Sequence, residues 1–517
     1  MLLTKLQRCR SVVGRLRPFL SYVEANYLVP ARDLLPRPFV NQMKDILGSD
    51  FPDFANALEQ APTRGFRLHA VSTQYSSGEM SLVNQDATLL ATSAPVPPQM
   101  NPLCQTPVPW CEDAFYLPAS SSLGQTAYQC TGAFYIQEPS AMAVAVAVEA
   151  KPGERILDLC AAPGGKTTAI AKSMRGEGVL VANEIHPKRV LALAENIERL
   201  GINALIANET PNRLAAAWPA AFDAILVDAP CSGEGMFRKD VHAVTEWTAQ
   251  SPSSCAARQR DILSHAYRML RPGGRLIYAT CTFNLEENEH IVAWCVDELG
   301  LVIDPLPHLP GWSPGISDAA AHHPDLALTR RFWPHLGAGE GHFIARLRKS
   351  EQKIEDSDGT ETSRGKTASK TDVQGQISTQ AFDAWWAEAM RVAKPNAWEN
   401  AAWVGDTLIV NVVARLPTRG LRVLRRGLML FQRDGKRERP HHSLAMAIAA
   451  AATRRPLALP EPEARRFLRG EALDGDADCG LRLVTLDGLG LGFANVLTNR
   501  ANNLLPKGLR RSDLQPL

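Results

Sequence analysis

The sequence lacks three features that would place it in a specialised class of proteins. No apolar run approaches the roughly 20 residues that a membrane-spanning helix needs, and the longest candidates, Ala141–Val148 and Ala445–Ala452, are short and Ala-rich. Ten cysteines are spread over 517 residues without paired close spacing, so neither a disulfide framework nor a zinc knuckle is predicted. Neither sign of charge dominates, because 56 Lys and Arg face 54 Asp and Glu. We therefore expect no membrane partner and a reducing, cytoplasmic compartment, and the net charge of +2 predicts no partner by itself.

The length and the local charge distribution are more informative. A chain of 517 residues with 45% hydrophobic and 21% charged residues suits two to four globular domains. Nine Lys or Arg against two Asp or Glu lie between Arg415 and Arg439, and with the tail Lys507–Arg511 they suit either phosphate contacts or a solvated basic face. Residues 1–36 form a basic extension that has three interpretations: an organellar targeting segment, a surface helix, or unselected sequence after an upstream start codon.

The apolar pattern divides the rest of the chain. Helical spacing over Phe39–Leu58 predicts a small module at 37–146, followed by a core at 147–350, a polar linker at 351–378 and a separate module at 379–517. In the core, apolar strands alternate with helices, which predicts an α/β fold with a parallel sheet covered on both faces. The tetrapeptide Arg271–Gly274 is expected to separate a helix from the next strand. The predicted strands are Arg155–Cys160, Val179–Asn183, Ala204–Ala207, Ala224–Asp228, Arg275–Thr280 and Gly341–Arg348, and the predicted helices are Lys166–Met174, Lys188–Leu200, Ala256–Leu270 and Glu286–Leu299.

A turn of small residues follows the first strand of the core. Residues 156–168 read ILDLCAAPGGKTT, and the small side chains allow the backbone to approach a ligand closely. A P-loop would need glycine at Cys160, and a dinucleotide fingerprint would need a third glycine besides Gly164 and Gly165. Glu184 follows the second strand, where an acid can accept hydrogen bonds from ribose hydroxyls. Together these features favour S-adenosylmethionine, while a tight connection without ligand and a solvated glutamate remain the alternatives.

Two cysteines and an acid follow the fourth and fifth strands. Asp228 and Cys231 come just after one strand and Cys281 ends the next, so we expect all three beside the cofactor crevice. A single free cysteine is most often a buried packing residue, but two beside an acid suggest thiolate chemistry. Lys166 is a candidate for the positive charge that would stabilise a thiolate.

These residues resemble the Nol–Nop–Sun RNA cytosine-5 methyltransferases. The resemblance spans roughly residues 37–350 and rests on YIQEPSAM at 135–142, DLCAAPGGKT at 158–167, Glu184, DAPCSGEG at 228–235 and TCTFNLEEN at 280–288. The tail, with LGF at 491–493 and LPKGLR at 505–510, resembles the PUA-like end of RsmF-type enzymes, which modify small-subunit ribosomal RNA. The resemblance implies a class I, Rossmann-like methyltransferase core between a small RNA-binding N-terminal module and a C-terminal PUA-like α+β module.

The resemblance also implies roles for the site residues. Cys281 would be the nucleophile that adds to the cytosine, and Cys231 would assist release of the methylated product. Asp228 would lie near both the cofactor and the base, and Glu184 would contact the cofactor. The chain departs from the RsmF pattern at Asn208–Pro211, where an Asp near the adenine is frequent, so the third cofactor contact is left open. The turn residues that would hold the cofactor are Cys160, Ala161, Ala162, Pro163, Gly164, Gly165 and Lys166.

The preferred interpretation is a monomeric methyltransferase that acts on RNA, in first place 16S-type rRNA or the small ribosomal subunit, with no DNA substrate and no metal. A transfer-RNA cytosine-5 methyltransferase and a non-catalytic RNA-binding assembly factor remain alternatives, and the missing glycines disfavour a nicotinamide dehydrogenase. We expect the pairs His322-His323 and His441-His442 in surface loops, and the pair Trp385-Trp386 in the core rather than stacked on a base. Deleting residues 379–517 is expected to weaken RNA binding more than cofactor binding.

Overall fold

The computed structural model describes most of the chain from residue 35 onward. The described ranges are 35–69, 71–72, 94–320, 322–337, 339–351, 378–399, 401–410, 416–435 and 437–517. Nearly all of the predicted basic extension, most of the predicted linker and Arg415 lie outside these ranges. Within them, no helix combines the length and the apolar character needed to cross a bilayer.

Two short helices, α1 (Arg37–Leu47) and α2 (Phe51–Leu58), open the described chain and confirm the helical prediction for this segment. Pro38 lies in the first turn of α1, where a missing N–H costs no intrahelical hydrogen bond, and Phe39 lies on its buried face. A three-stranded antiparallel sheet follows, in which Gly65–Leu68 lies between Ala114–Tyr116 and Phe134–Ile136. The remaining elements of this module are β1 (Gly65–Leu68), β2 (Val71–Ser72), β3 (Ala94–Pro95), β4 (Ala114–Tyr116), α3 (Ala127–Cys130), β5 (Phe134–Ile136) and α4 (Pro139–Val148).

The predicted α/β core is confirmed. Its strands are β6 (Arg155–Asp158), β7 (Val179–Asn183), β8 (Leu205–Ala207), β9 (Phe222–Asp228), β10 (Leu270–Thr280), β11 (Val302–Ile303), β12 (Ser313–Pro314), β13 (Arg330–Phe332) and β14 (His342–Arg348). Its helices are α5 (Gly165–Met174), α6 (Arg189–Arg199), α7 (Pro211–Ala217), α8 (Val241–Glu246), α9 (Ser251–Met269) and α10 (Glu289–Leu299). The strands lie in the order β12-β13-β14-β10-β9-β6-β7-β8, parallel from β10 to β8. Alternate strand residues enter two separate apolar clusters, so both faces of the sheet are covered.

The tetrapeptide Arg271–Gly274 does not separate a helix from a strand as expected. Strand β10 already begins at Leu270 and pairs with Phe222, and pairing resumes at Arg275 opposite Ala224, so the tetrapeptide forms an irregularity within the strand. The backbone of Gly273 and Gly274 also exchanges hydrogen bonds of 3.0 Å with Lys349. A bulge tolerates proline because the extra residues are not needed for the ladder, and local sequence pattern does not reveal this.

Among its described residues, the C-terminal part contains two further sheets, one of four strands and one of five. The predicted core position of Trp385 and Trp386 is confirmed, because Trp386 is 5% exposed and Trp385 packs beside it against Phe431. The elements are α11 (Gln380–Ala389), β15 (Ala401–Val404), β16 (Thr407–Val410), β17 (Val423–Arg426), β18 (Met429–Asp434), β19 (Arg437–Pro440), α12 (His442–Ala447), β20 (Leu457–Leu459), α13 (Glu461–Leu468), β21 (Leu473–Asp474), β22 (Gly480–Leu486), β23 (Leu489–Val496) and β24 (Arg500–Asn503).

Strand β17 lies in the core sheet and not in either C-terminal sheet. It pairs antiparallel with β8, so that Val423 faces Ala207 and Arg426 faces Leu205. Leu416, 3% exposed, belongs to the apolar cluster on one face of the core sheet. The indole N–H of buried Trp218 donates to the carbonyl of Pro417 at 2.7 Å. The segment predicted as part of a separate module therefore completes the core, because β8 would otherwise leave its backbone edge unpaired.

Part of the basic segment 415–439 forms contacts within the protein, so those arginines are less available for contacts with phosphate. Arg425 forms an ion pair with Glu198 on α6, and Arg426 donates to the Thr418 hydroxyl. Arg433 pairs with Glu438 and lies over the Trp403 ring. The charges of Arg425 and Arg433 are therefore paired, the first at the contact with α6 and the second within the C-terminal sheet.

Helix α12 packs against the end of α6, and this contact corrects the prediction for His441 and His442. Both rings are largely buried rather than in a surface loop, and burial lowers the pKa of His442 to about 4. Gly201, just after α6, adopts φ +63°, and a Cβ there would lie 2.5 Å from the carbonyl oxygen of Met446. The close backbone approach at this interdomain contact therefore depends on glycine.

We predict that Gly201→Ala separates these two elements and destabilises the protein more than a matched change elsewhere. The control is Gly300→Ala after α10, because Gly300 has φ +62° and a Cβ there would meet no other atom within 4 Å. The control should lose about 1 kcal/mol for the left-handed backbone, and Gly201→Ala about 1–3 kcal/mol more for the overlap. Urea unfolding of the two variants measures the difference, and equal losses would contradict the close contact.

Candidate active site

The turn between β6 and α5 is held from several sides. Gly164 has φ +109°, and a Cβ there would lie 3.1 Å from the Leu193 side chain. The N–H of Ala161 donates to the carbonyl of Asn183 at 2.8 Å, which joins the turn to the end of β7. The Arg189 guanidinium donates to the carbonyl of Ala162 at 2.9 Å. The predicted cofactor turn is therefore a fixed structure, with only Pro163 strongly exposed.

Three carboxylates converge on this turn from the ends of three parallel strands. Asp158 ends β6, Glu184 follows β7 and Asp228 ends β9, so all three lie at the carboxyl edge of the sheet. Burial raises the pKa of the Cys160 thiol, and the charges of these three acids raise it further. Such a negative site suits S-adenosylmethionine, which carries a sulfonium, an ammonium and two ribose hydroxyls. The same charges would repel the diphosphate of a dinucleotide. The residues present thus fit the predicted cofactor.

Asp158 is the most deeply buried of these acids. It has no solvent exposure, and burial raises its pKa to about 7. The hydroxyl of Thr167 donates to Oδ2 at 2.6 Å, whereas Oδ1 has no hydrogen-bond partner within the described part of the protein. An unpartnered carboxylate oxygen beneath the turn is a feature that a bound cation would stabilise.

Glu184 lies just after β7 and is 3% exposed. Its Oε1 accepts the N–H of His186 at 2.8 Å, and its Oε2 lies 3.6 Å from Arg189. The amide of Asn208, after β8, donates to the backbone carbonyl of Glu184 at 2.6 Å and to that of Ile185 at 3.0 Å. Asn208 therefore fastens the backbone that carries the predicted ribose ligand.

The region Asn208–Pro211, where the third cofactor contact was left open, is occupied by contacts within the protein. Glu209 pairs with Arg213 at 2.8 Å and accepts the N–H of Arg422 at 2.7 Å. Thr210 begins α7, and its hydroxyl accepts the N–H of Arg213. The carboxylate of Glu209 is thus bound by Arg213 and Arg422, whereas the side chain of Asn208 reaches the backbone of Glu184.

Lys166 connects the cofactor turn to the two cysteines. Its ammonium donates to Asp228 Oδ2 at 2.7 Å, and its side chain is 14% exposed. Burial acts to lower the pKa of Lys166, but Asp228 and then Cys281 outweigh it, so the pKa is raised. Lys166 is therefore charged at neutral pH and is held by Asp228 at the end of β9.

The structure brings Cys231 and Cys281 together, with 3.3 Å between their Sγ atoms. The pKa of Cys231 is raised well above its ordinary value by the hydrogen bond with Cys281 and by burial. The raised pKa favours the protonated form of Cys231, which can donate a hydrogen bond to the other sulfur. The side chains of both residues are partly accessible from outside the protein.

Two buried acids that we did not single out from the sequence hold the two cysteine loops together. Glu234 accepts the backbone N–H groups of Phe283 and Asn284 at 2.8 and 3.0 Å. Glu287 accepts the N–H of Ser232 at 3.0 Å and the Asn284 amide at 2.7 Å. Their positions three and six residues after the cysteines were a usable signal, because both lie within the motifs that carry the resemblance.

The N-terminal module also touches the cofactor turn. Arg67 on β1 is 3% exposed, and its guanidinium donates to the Thr168 hydroxyl at 2.8 Å and to the carbonyl of Gly165 at 3.2 Å. Glu138 caps α4 by accepting the N–H groups of Ser140 and Ala141, both at 2.9 Å. Nothing in the spacing of these residues indicates that they approach the core.

The tandem His322-His323 has a further potential ligand that spacing did not reveal. Asp297 on α10 lies 3.1 Å from the Nε2 of His323 and 3.9 Å from that of His322. The three side chains form a mostly exposed group with the dimensions of a metal site. A surface ion pair explains the same geometry, since no fourth ligand accompanies them among the described residues.

Comparison with known proteins identifies matching families along most of the chain. The model described as "16S rRNA methyltransferase RsmB/F" matches residues 145–348. The model described as "N-terminal domain of 16S rRNA methyltransferase RsmF" matches residues 35–139. The model described as "Methyltransferase RsmF PUA domain" matches residues 454–511. Residues 349–453, including β17, lie between these matches.

Individual relatives agree with these matches. Ribosomal RNA small subunit methyltransferase F of Escherichia coli O127:H6 (strain E2348/69 / EPEC) is 33% identical over 494 residues, covering 92% of this chain and 96% of the relative. The protein of the same name from Citrobacter koseri is 32% identical with the same coverage. The crystal structure of a methyltransferase homologue from Pyrococcus horikoshii is 28% identical with a TM-score of 0.50, covering 62% of this chain and 100% of that structure.

The buried Asp158 predicts a pH dependence of stability. Its folded-state pKa of about 7 lies above the ordinary value of 3.8, so the folded protein keeps a proton that the unfolded chain has released. The free energy of unfolding should therefore fall as pH rises from about 4 to 7 and then level off. Asp158→Asn cannot release this proton, so its stability relative to the natural protein should increase over that range.

Thermal unfolding of both proteins between pH 5 and 8, without ligand, measures this difference. S-adenosylmethionine binding supplies a second measurement, because a cationic ligand should bind the natural protein more tightly as Asp158 ionises. Parallel stability profiles for the two proteins would contradict the raised pKa.

Proposed function

This chain belongs to the RsmF-type 16S rRNA methyltransferases, and from that membership we propose that it methylates carbon 5 of a cytosine in small-subunit ribosomal RNA. The observation that carries the cytosine-5 assignment is the pair of thiols 3.3 Å apart beside the Lys166–Asp228 ion pair. Methylation of a base nitrogen or a ribose oxygen needs no cysteine nucleophile, because those atoms already carry a lone pair. A carbon acceptor in a pyrimidine must first be activated.

Cys281 is the proposed nucleophile. Its thiolate adds to carbon 6 of cytosine, and the electron pair of the carbon 5–carbon 6 double bond becomes available at carbon 5. S-adenosylmethionine, when bound, supplies an electrophilic methyl group on a sulfonium. Two features support Cys281 over Cys231: the hydrogen bond with Cys281 and burial raise the pKa of Cys231, and Cys281 contributes to the raised pKa of the Lys166 ammonium. Because the thiolate would otherwise be desolvated without a partner, both contacts favour its formation.

Cys231 is proposed to assist product release. After carbon 5 has been methylated, its remaining proton must leave before the carbon 6–sulfur bond can break and restore the double bond. Cys231 donates its proton to the departing Cys281 sulfur across the existing 3.3 Å contact, and the Cys231 thiolate that results accepts the proton from carbon 5. The electron pair of the carbon 5–hydrogen bond restores the double bond, and the Cys281 thiol then releases one proton to solvent. The net change is replacement of the hydrogen on carbon 5 by a methyl group, with both cysteines returned to their initial state.

The residues around the turn are proposed to hold the cofactor. Asp158 and Asp228 supply negative charge below and beside the turn Cys160–Lys166, and Glu184 accepts hydrogen bonds from the ribose. The target cytosine must leave its stack to reach the cysteines, because a base within a helix exposes only its edges. The buried contacts of Glu234 and Glu287 keep the two loops in place while the base enters.

Two alternatives differ in their predictions. A transfer-RNA methyltransferase would use the same site, and the names of the relatives favour ribosomal RNA. A non-catalytic assembly factor would have no need for paired thiols, and the contact between them disfavours it. We further propose that the protein acts as a monomer in the cytoplasm and on RNA rather than DNA; the nine cysteines in the described residues are all unpaired, as in a reducing compartment.

We predict that Cys281→Ala abolishes methylation in cells without unfolding the protein. A strain that lacks this gene is complemented with the natural protein, with Cys281→Ala, or with the exposed-thiol control Cys479→Ala, and its RNA is analysed by bisulfite sequencing. One cytosine of 16S rRNA should be protected by the natural protein and the control, but not by Cys281→Ala. A protected cytosine in transfer RNA instead of 16S rRNA would show that the substrate is transfer RNA. A protected cytosine in the strain with Cys281→Ala would contradict the assignment of Cys281 as the nucleophile.

We predict that Cys231→Ala accumulates a covalent protein–RNA complex. Without the second thiol the adduct forms at Cys281 but is released slowly, so a band that resists denaturation should appear on a gel. The double variant Cys231→Ala/Cys281→Ala should give no such band. Rapid turnover by Cys231→Ala, without an adduct, would show that another group assists release.

A further inference from the structure

We propose that the C-terminal module forms part of the cofactor site, because Arg422 positions Asn208 and Asn208 positions Glu184. The family matches end at residue 348 and resume at 454, so nothing assigns a role to β17 and the residues before it. This inference rests on the proposed function in one respect, namely that Glu184 binds the ribose. Asn208 and Arg422 are positioning residues, since neither is required to touch the cofactor.

The side chain of Asn208 holds the backbone of Glu184. Asn208 is 8% exposed, and its Nδ2 uses both donors on the carbonyls of Glu184 and Ile185, at 2.6 and 3.0 Å. These carbonyls lie just beyond the end of β7. The N–H of Glu184 still donates to the carbonyl of Ala207 at 3.2 Å, and the carbonyls of Glu184 and Ile185 accept from Asn208. Loss of this amide would leave buried carbonyls without a donor and would allow the Glu184 backbone to move.

Arg422 in turn orients the side chain of Asn208. The guanidinium Nη1 lies 3.3 Å from Asn208 Oδ1 and can only donate, so the amide oxygen faces Arg422 and the amide nitrogen faces Glu184. The backbone adds two bonds: the N–H of Asn208 donates to the carbonyl of Arg422 at 2.9 Å, and the N–H of Arg422 donates to Glu209 at 2.7 Å. Arg422 therefore fixes both the position and the direction of Asn208.

The segment that carries Arg422 is attached to the core. Arg422 immediately precedes β17, whose Val423 pairs with Ala207 at the end of β8. Leu416 is buried in the core cluster, and Trp218 donates to the carbonyl of Pro417 at 2.7 Å. These contacts hold the segment against the core independently of the Arg422 side chain. An Arg422 substitution should therefore leave the fold intact while releasing Asn208.

The route from Arg422 to Glu184 implies that the cofactor and C-terminal modules are not independent. The sequence pattern predicts that deletion of residues 379–517 weakens RNA binding more than cofactor binding. The structure instead places a residue of that range two contacts away from the predicted ribose ligand. Cofactor affinity should consequently depend on the C-terminal module even when no RNA is present.

The experiment measures binding of S-adenosylhomocysteine and of its 2′-deoxy analogue to the full-length protein by calorimetry. The variants are Asn208→Leu, Arg422→Ala, their combination and Glu184→Ala. The control is Arg437→Ala, an exposed arginine of the same basic segment. The natural protein and the control should bind S-adenosylhomocysteine about 10-fold more tightly than the deoxy analogue, as expected for one lost hydrogen bond.

Asn208→Leu should weaken S-adenosylhomocysteine binding about 10-fold and Arg422→Ala about 3-fold, with little further loss for the deoxy analogue. The double variant should be no weaker than Asn208→Leu, because both changes act on one route. A merely structural defect would instead weaken both ligands equally, and that result would overturn the inference. Arg422 is exposed, so its variant tests the route even if Asn208→Leu does not fold.

The Glu184→Ala variant separates failure of this inference from failure of the proposed function. If Glu184→Ala discriminates against the deoxy analogue as strongly as the natural protein does, Glu184 is not the ribose ligand and that part of the proposed function fails. If Glu184→Ala loses the ribose preference while Arg422→Ala and Asn208→Leu retain it, Glu184 keeps its role and the positioning route is wrong.

Discussion

The site depends on two buried carboxylates that close the loops after β9 and β10. Glu234 and Glu287 have no solvent exposure, and a buried carboxylate is tolerated only when hydrogen bonds replace its hydration. Backbone N–H groups on the opposite loop supply those bonds, so neither loop can move without leaving a charged group unsatisfied. The 3.3 Å separation of Cys231 and Cys281 is a consequence of this constraint rather than of a disulfide between the cysteines.

The charge arrangement meets two opposite requirements. A cationic cofactor needs a negative site, whereas RNA approaches with a negative backbone. The buried carboxyl group of Asp158 supplies negative charge for the cofactor. Lys166 neutralises Asp228, which lies between the cofactor turn and the cysteines. The ion pair between Lys166 and Asp228, with 2.7 Å between Nζ and Oδ2, therefore lies between two regions. The region on the side of the turn suits a sulfonium, and the region on the side of the cysteines suits a thiolate and a nucleobase.

Most of the core could be predicted from the sequence because its signals are local. Strand and helix periodicities set the elements, and parallel strands bring their carboxyl ends to one edge, so Glu184, Asp228 and Cys281 were expected together. The features that could not be predicted depend on contacts between residues far apart in the sequence. Strand β17 pairs with a strand more than 200 residues away, and its basic residues gave the same local signal as a phosphate-binding surface. The partners of Arg425 and Asn208 likewise depend on contacts that no short window contains.

The position of β17 follows from a general property of sheets. In an open parallel sheet the outermost strand presents unpaired N–H and C=O groups, and β8 is that strand here. Covering this edge with a segment of the C-terminal module satisfies the backbone and also fixes the module beside the ends of β7 and β8. The cofactor site lies at the same ends, so the residue that precedes β17 necessarily meets the residues that follow β8. A contact needed for a closed sheet edge thereby brings the C-terminal module to the cofactor site.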